Sequence, residues 1–266
     1  SPKLDDANLY GTDNDQQMIM LAELNMLLNG DGNAKLFYIP DKGSIDHKLD
    51  ITGRPVKLIS KYQKNGNWDN WPNTTEVKKF DVVLTNPPFG EDRAYRVRTS
   101  EDKEIAECYT VWNMCRQKEW IDLGLIFLEN AVRLLRENGR MGVVQSNSIA
   151  SIDRWEKARL WLMDNVRIVA LFDLPPNVFA DTGANTTLVI AYKPKKEDLE
   201  KLKKQGYEIF TRDIRKVGYE VRTSRRVKFY NPLWKINERT FEIETDEQGN
   251  PLQDEEFTKI VNDFRK

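Results

Sequence analysis

The sequence predicts an α/β fold in which a largely parallel sheet is covered by helices on both faces. Short apolar runs alternate with stretches of helical period along most of the chain, as in parallel strands joined by crossover helices. The runs at 80–85, 141–145, 168–172 and 186–192 are apolar enough for strands buried on both faces. The 266 residues are 39% hydrophobic, which allows a sizeable core.

Taken in order, residues 9–13 read as a short strand ending in an acid, Asp13. Asp15 then N-caps a helix over 16–29, which Gly30 terminates. Met18, Leu21, Ala22, Asn25 and Leu28 recur there at helical spacing, and Met20, Leu24 and Leu27 widen the face, so this helix is expected to pack on the sheet. Residues 35–39 form the next strand. From 41 to 79 periodicity is poor. Trp68 and Trp71 lie in an expected exposed loop or hairpin, either as a small apolar cluster or as a stacking surface for bases. A buried strand at 80–85 ends at Asn86. Residues 91–110 read as irregular and charged, with Arg93, Arg96 and Arg98 in either a phosphate-contacting lid or a solvated charge run. A long helix is expected from about 112 to 137, broken near Asp122 and stopped by Asn138-Gly139. A strand at 141–145, a helix at 154–163 and strands at 168–172 and 186–192 complete a domain placed at 1–195. Residues 196–266 differ in composition and are treated as a C-terminal extension contacting a subunit or DNA. Its strip of Arg215, Lys216, Arg222, Arg225, Arg226 and Lys228 is either a phosphate-contacting surface or a solvated face balanced by later acids.

Charge and composition exclude several classes. The 41 Lys and Arg oppose 42 Asp and Glu, so the net charge is −1 and any DNA-binding surface must be local or supplied by a partner. The two cysteines, Cys108 and Cys115, offer neither a zinc set nor a disulfide framework, and point to a reducing, cytoplasmic compartment. No window reaches the ~18–20 apolar residues of a membrane span, and the polar start is unlike a signal peptide. The single Asp181-Thr182-Gly183 cannot make an aspartic protease, which needs two carboxylates sharing a proton. His47 has no evident triad partner.

The most informative segment is Asn86-Pro87-Pro88-Phe89. It falls where a strand ends and a loop begins, the edge at which open α/β sheets bind ligands. Neither proline can donate to a ladder or continue a helix, so the turn presents carbonyl acceptors, to which Asn86 adds a side-chain carbonyl. An exocyclic amine on a flat ring donates two hydrogen bonds and offers a face for Phe89 to stack on. Gly90 lets the chain leave without crowding that ring.

In this order of elements, the tetrapeptide resembles that of N6-adenine DNA methyltransferases of the class I, Rossmann-like, S-adenosylmethionine-dependent fold. The modification subunit of type I restriction-modification systems is the most similar group. The stretch Leu174-Pro175-Pro176-Asn177-Val178-Phe179-Ala180-Asp181-Thr182-Gly183-Ala184-Asn185-Thr186-Thr187 resembles that group's Leu-Pro-x-x-x-Phe-x-x-Thr-Gly-x-x-Thr element, and residues 24–30 resemble its asparagine-containing helix. The resemblance covers about residues 7–195. It implies that Asn86 and the Pro87 carbonyl accept from the adenine amino group, with Pro88 stiffening the turn. Phe89 would stack on a base flipped out of the duplex, and Phe179 would either wall the base pocket or belong to the core. Asp13 would hold the cofactor ribose. Asp41 would contact the cofactor adenine, although an alignment centred on Ser44 places Gly43 there. The implied partners are double-stranded DNA, a specificity subunit, a restriction subunit and a second copy of the modification subunit.

One departure is large. The resembled family carries a glycine-rich cofactor loop before the Asp13 strand, yet ten residues precede Gly11 and none forms such a turn. Residues 29–33 follow a helix and cannot replace it. With that first, mid-sheet strand absent, unpaired backbone and exposed apolar surface are expected, completed either by preceding residues or by another chain. The alternatives are a non-catalytic DNA-binding or assembly module, and a protein glutamine methyltransferase, against which Phe89 speaks because those enzymes commonly carry Tyr there.

Overall fold

The described strands fall into one five-stranded sheet and three two-stranded pairs in the computed structural model, which describes residues 9–30, 34–40, 42–45, 79–88, 94–176, 178–179, 183–224 and 227–265. Asp41, His47, Trp68, Trp71, Phe89, Gly90, Arg93, Asp181, Thr182, Arg225 and Arg226 lie outside the described residues, and so does most of the segment expected to be a loop. In chain order the elements are β1 (Tyr10–Asp13), α1 (Gln16–Leu28), β2 (Lys35–Tyr38), a 3-10 turn (Gly43–Ile45), β3 (Phe80–Thr85), β4 (Ala94–Arg96), α2 (Ser100–Glu107), α3 (Thr110–Cys115), β5 (Trp120–Asp122), α4 (Leu123–Leu134) and β6 (Leu135–Ser146). They continue as α5 (Asn147–Ser151), a 3-10 turn (Asp153–Trp155), α6 (Glu156–Asn165), β7 (Arg167–Leu174), β8 (Thr186–Tyr192), α7 (Lys196–Gln205), β9 (Phe210–Asp213), β10 (Tyr219–Ser224), β11 (Val227–Pro232) and α8 (Phe257–Phe264).

The main sheet has the order β3-β6-β8-β7-β9, and β1 and β2 form a separate parallel pair. β3 is parallel to β6 and β9 to β7, while β8 runs against both its neighbours. Four of the five strands therefore share one direction. The reversal of β8 follows from its connection: residues 175–185 carry no helix among those described, and a short link returns a strand antiparallel.

Strand alternation separates two cores. Val189 and Ala191 of β8 join a large cluster with Trp112, Leu125, Ile126, Trp161 and Leu162, so α3, α4 and α6 cover one face. Leu188 and Ile190, facing the other way, pack with Ala170, Phe172, Leu174, Ile214 and Ile260. Phe264 of α8 closes that side, 6.0 Å from the Phe172 ring and 5.4 Å from Phe210. Residues beyond 195 thus supply an edge strand and the cover of the second face.

Several local expectations need correction. Residues 94–110 are ordered into β4, α2 and the start of α3, with Thr99 and Asp102 forming a capping box around the first turn of α2. The helix expected over 112–137 is α3 and α4 separated by β5. Asp122, the expected break, caps α4 by accepting from the Gly124 N–H at 2.9 Å. Buried Glu129 of α4 accepts from the Thr110 and Val111 N–H groups at 3.0 and 2.8 Å, fixing the start of α3. At the other end of α4, the Lys79 and Lys193 ammonium groups donate to the carbonyls of Arg133 and Val132, placing cations at a helix C-terminus.

The largest correction concerns α1. Asp15 caps it as expected, accepting from Gln17 N at 2.8 Å, but Ile19 is its one buried residue and Leu21, Leu24 and Leu28 are 58%, 52% and 77% exposed. The apolar stripe is real and has no cover among the described residues. The open edges expected from the sequence are present too. Among the described residues β1 pairs with β2 alone and β3 with β6 alone, and Leu84 on β3 is 77% exposed.

Candidate active site

The carboxyl ends of β1 and β3 face one cavity of about 550 Å³. Asp13, Asn86, Pro87 and Pro88 all line it, so four of the residues singled out in the sequence converge from strands of two different sheets. The Tyr10 and Phe80 rings meet edge to face at 5.5 Å between those strands. Pro87 is buried and pins the turn; Asn86 is exposed, and its side chain makes no hydrogen bond to a described residue. Its carbonyl is therefore available to a ligand. One oxygen of Asp13 accepts from the Asp15 N–H at 2.8 Å, which orients the carboxylate at the end of β1.

The opposite wall comes from the Gly43–Ile45 turn, β4, α2 and α4. Gly43 has φ of 60°, which disfavours a side chain, and an added Cβ would meet Asn14 Cβ at 3.3 Å. The turn is held at three points: Asn130 donates to the Ser44 carbonyl at 3.1 Å, the Tyr109 hydroxyl donates to the Ile45 carbonyl at 3.1 Å, and the Lys42 ammonium pairs with Asp102. Asp102 also accepts from the N–H groups of Arg98 and Thr99 at 3.0 and 2.9 Å. Burial raises the pKa of its carboxyl, but these donors outweigh burial and bring it down to about 2. Leu123 and Phe127 of α4 add apolar lining, and Arg96 and Arg98 add positive charge.

The sequence reading missed the Lys42–Asp102 pair and Phe127 as site residues, whereas Arg96 and Arg98, two of the three arginines of the expected lid, do line the cavity. The Thr99-x-x-Asp102 spacing was the signal available for the pair. Phe179 is half-buried, packs against the second core cluster and is not among the described residues that line the cavity. Near it the Tyr219 hydroxyl donates to the Val178 carbonyl at 2.7 Å. Thr187, in the Thr-Gly element, ties β8 to the end of β7 and to the start of α5. Its hydroxyl lies 2.6 Å from the Asp173 carboxylate and 2.7 Å from the Asn147 side-chain oxygen position. A hydroxyl has one proton, so both contacts are satisfied when it donates to Asp173 and the Asn147 amide is turned to donate to it. Of the basic strip at the C-terminal end, Arg215, Lys216 and Arg222 are paired with Asp213, Asp254 and Glu220. No helix among the described residues is long and apolar enough to cross a membrane.

Comparison with known proteins follows the same lines. The fold is shared with the type I restriction-modification system methyltransferase subunit from Streptococcus thermophilus, with a TM-score of 0.51 and 18% identity, over 97% of this chain and 42% of that one. The type II methyltransferase M.BstVI of Geobacillus stearothermophilus is 28% identical over 102 residues, 38% of this chain and 17% of that protein. The type II methyltransferase M.BanIII of Aneurinibacillus aneurinilyticus is 24% identical over 177 residues, 64% of this chain and 25% of that protein. The chain thus spans a quarter or less of these curated relatives. Residues 7–179, well over half of it, match the model of one family, and on that ground the chain belongs to the Eco57I restriction-modification methylases.

Proposed function

We propose that this chain carries the base-accepting half of a DNA adenine methyltransferase site, which transfers a methyl group from S-adenosylmethionine to the N6 amino group of adenine. The observation that carries the proposal is the convergence of Asn86, Pro87 and Pro88 with Asp13 on one cavity at the carboxyl ends of β1 and β3. The unbonded Asn86 side-chain carbonyl and the Pro87 main-chain carbonyl are two acceptors suited to the two N–H groups of an exocyclic amine. Holding both turns the nitrogen lone pair out of the ring plane toward the donor, so positioning replaces prior deprotonation. Phe89 is assigned to the base face by its place in the tetrapeptide.

The cofactor fits the residues present in part. The carboxylate of Asp13, anchored by one oxygen at a strand end, suits a ribose diol, and Asp41 or the Gly43-Ser44 turn is assigned to the cofactor's adenine. When bound, S-adenosylmethionine supplies an electrophilic sulfonium methyl. The proposed partners are double-stranded DNA, a specificity subunit, a restriction subunit and a second modification subunit; the near-neutral charge favours DNA contact shared with such partners.

A second proposal, a non-catalytic assembly or DNA-binding module, is favoured by the open edges of β1 and β3 and the bare stripe of α1. Methyl incorporation into DNA by the full-length protein, together with calorimetric cofactor titration, separates the two. Asn86→Ala is expected to cut transfer to adenine by about 10²–10³-fold, as loss of one preorganised polar contact does, with cofactor affinity retained. Undiminished methylation by that variant would exclude the acceptor role, and a full-length protein that binds no cofactor would favour the module.

A further inference from the structure

We propose that Arg96, which lines the cavity, and Arg154, which shares the Trp120 ring with it, clamp the phosphodiester backbone of the DNA strand whose base enters the cavity. The proposal rests on the adenine-accepting role of Asn86 and Pro87 and adds how the strand is held.

Arg96 ends β4 and lines the cavity. Its direct cross-strand partner is Trp120 on β5, and its guanidinium lies 5.8 Å from the indole centroid. Arg154 reaches the same ring from the 3-10 turn after α5, at 5.5 Å, and lies 4.8 Å from Trp155. Trp155 is fully buried and meets Trp120 edge to face at 6.3 Å, so the ring that both arginines share is fixed to the main core. Both arginines themselves are exposed.

Neither guanidinium is held in an ion pair by a described carboxylate, although the charge of Arg154 acts on Asp122 at longer range. Arg136, Arg215, Arg222, Lys201 and Lys203 are each within ion-pair distance of a carboxylate. Arg96 and Arg154 form no such pair with any described residue. A guanidinium stacked on an indole keeps its in-plane N–H groups free, and the ring limits the side-chain entropy lost when those groups meet an anion. Planar donors with no carboxylate to satisfy them match phosphate oxygens, which accept two parallel N–H bonds. Two such groups gathered on one ring beside a cavity for a single base are placed to hold neighbouring phosphates of the strand that carries the extruded nucleotide.

The test is equilibrium binding of a fluorescein-labelled DNA duplex to the full-length protein across a sodium chloride series. Each phosphate contact contributes about 0.9 to the slope of log affinity against log salt. The Arg96→Gln/Arg154→Gln pair, which retains polar stems on Trp120, is expected to flatten the slope by about two. Arg96→Lys/Arg154→Lys should keep most of it, and Lys201→Gln on α7 should keep all of it. Should the glutamine pair fail to fold by circular dichroism, Arg96→Gln alone is expected to flatten the slope by about one. An unchanged slope in the folded glutamine variant, or an equal loss in Lys201→Gln, would overturn the clamp. Asn86→Ala is assayed alongside for slope and for methylation. A flattened slope in the arginine variant, with full methylation by Asn86→Ala, would retain the backbone contact and reject the adenine pocket.

Discussion

Asp102→Asn tests whether the cavity wall is held by charge. Oδ2 of Asp102 takes both backbone donors, from Arg98 and Thr99, while Oδ1 faces the Lys42 ammonium. An asparagine oxygen in the Oδ2 position keeps both backbone bonds and turns its NH2 toward Lys42, so the substitution removes the ion pair and little else. The carboxyl titrates at about 2 in the folded protein against an ordinary 3.8. The folded value is the lower one, so the charge stabilises the fold fully above 3.8, and that contribution is lost as pH falls through 2. The interval is worth about 2.4 kcal/mol at 1.36 kcal/mol per pH unit, an order-of-magnitude figure for a residue that is nearly buried. Urea denaturation should therefore show the variant about 2 kcal/mol less stable at pH 7. Roughly half of that difference should be gone by pH 3, where the wild-type carboxyl and its unfolded counterpart differ less in protonation. Adding Lys42→Met to the variant should cost little more, because the two side chains act as one unit. A difference that stays constant between pH 7 and pH 3, or a value below about 0.5 kcal/mol, would refute the assignment of charge as the wall's fastening.

Two further substitutions probe the frame around the site. A Cβ on Gly139 would lie 2.9 Å from the backbone oxygens of both Arg136 and Phe80, where β3 and β6 shift register, so Gly139→Ala must move backbone. A cost of about 1–3 kcal/mol is expected, seen as a fall in melting temperature of roughly 3–9 °C; an unchanged melting point would mean the strands do not approach so closely. Lys79 is pushed down from 10.5 to about 8, first by burial and then by Lys193 and Arg133. Its charge opposes folding below pH 8, and that penalty is relieved as pH rises toward 10.5. After discounting for partial exposure the gain is about 1–2 kcal/mol. A Lys79→Met variant should show no such rise between pH 8 and 10, and an identical rise in variant and wild type would assign the effect elsewhere.

What the sequence disclosed depended on how local the determining chemistry was. Asp15 before an apolar run announces α1, and the β-branched runs announce β3, β7 and β8. The convergence of Asp13 with Asn86 follows from two strands, in different sheets, whose carboxyl ends meet at one cavity. The direction of β8 is written in its connection instead of its side chains, so periodicity could not reveal it. The stretch 91–110 looked irregular because α2 within it is short and charged on the outside; Thr99 and Asp102 mark its start. The face of α1 was legible, but its burial depends on what lies against it, which no pattern within the helix encodes. Arg96 and Arg154 are far apart in sequence, and only the fold brings them to one indole.

The separation of β1 and β2 from the five-stranded sheet has a consequence for motion. Asp13 and Asn86 stand on ladders that share no backbone hydrogen bond among the described residues, and the contacts joining them run through side chains such as Tyr10 and Phe80. The β1–β2 pair can therefore open without breaking the five-stranded sheet, as an independent unit of low local stability. In amide exchange, Leu36 and Phe37 should lose protection well before Val143 and Val189, and the two halves of the cavity should keep time separately until something spans them.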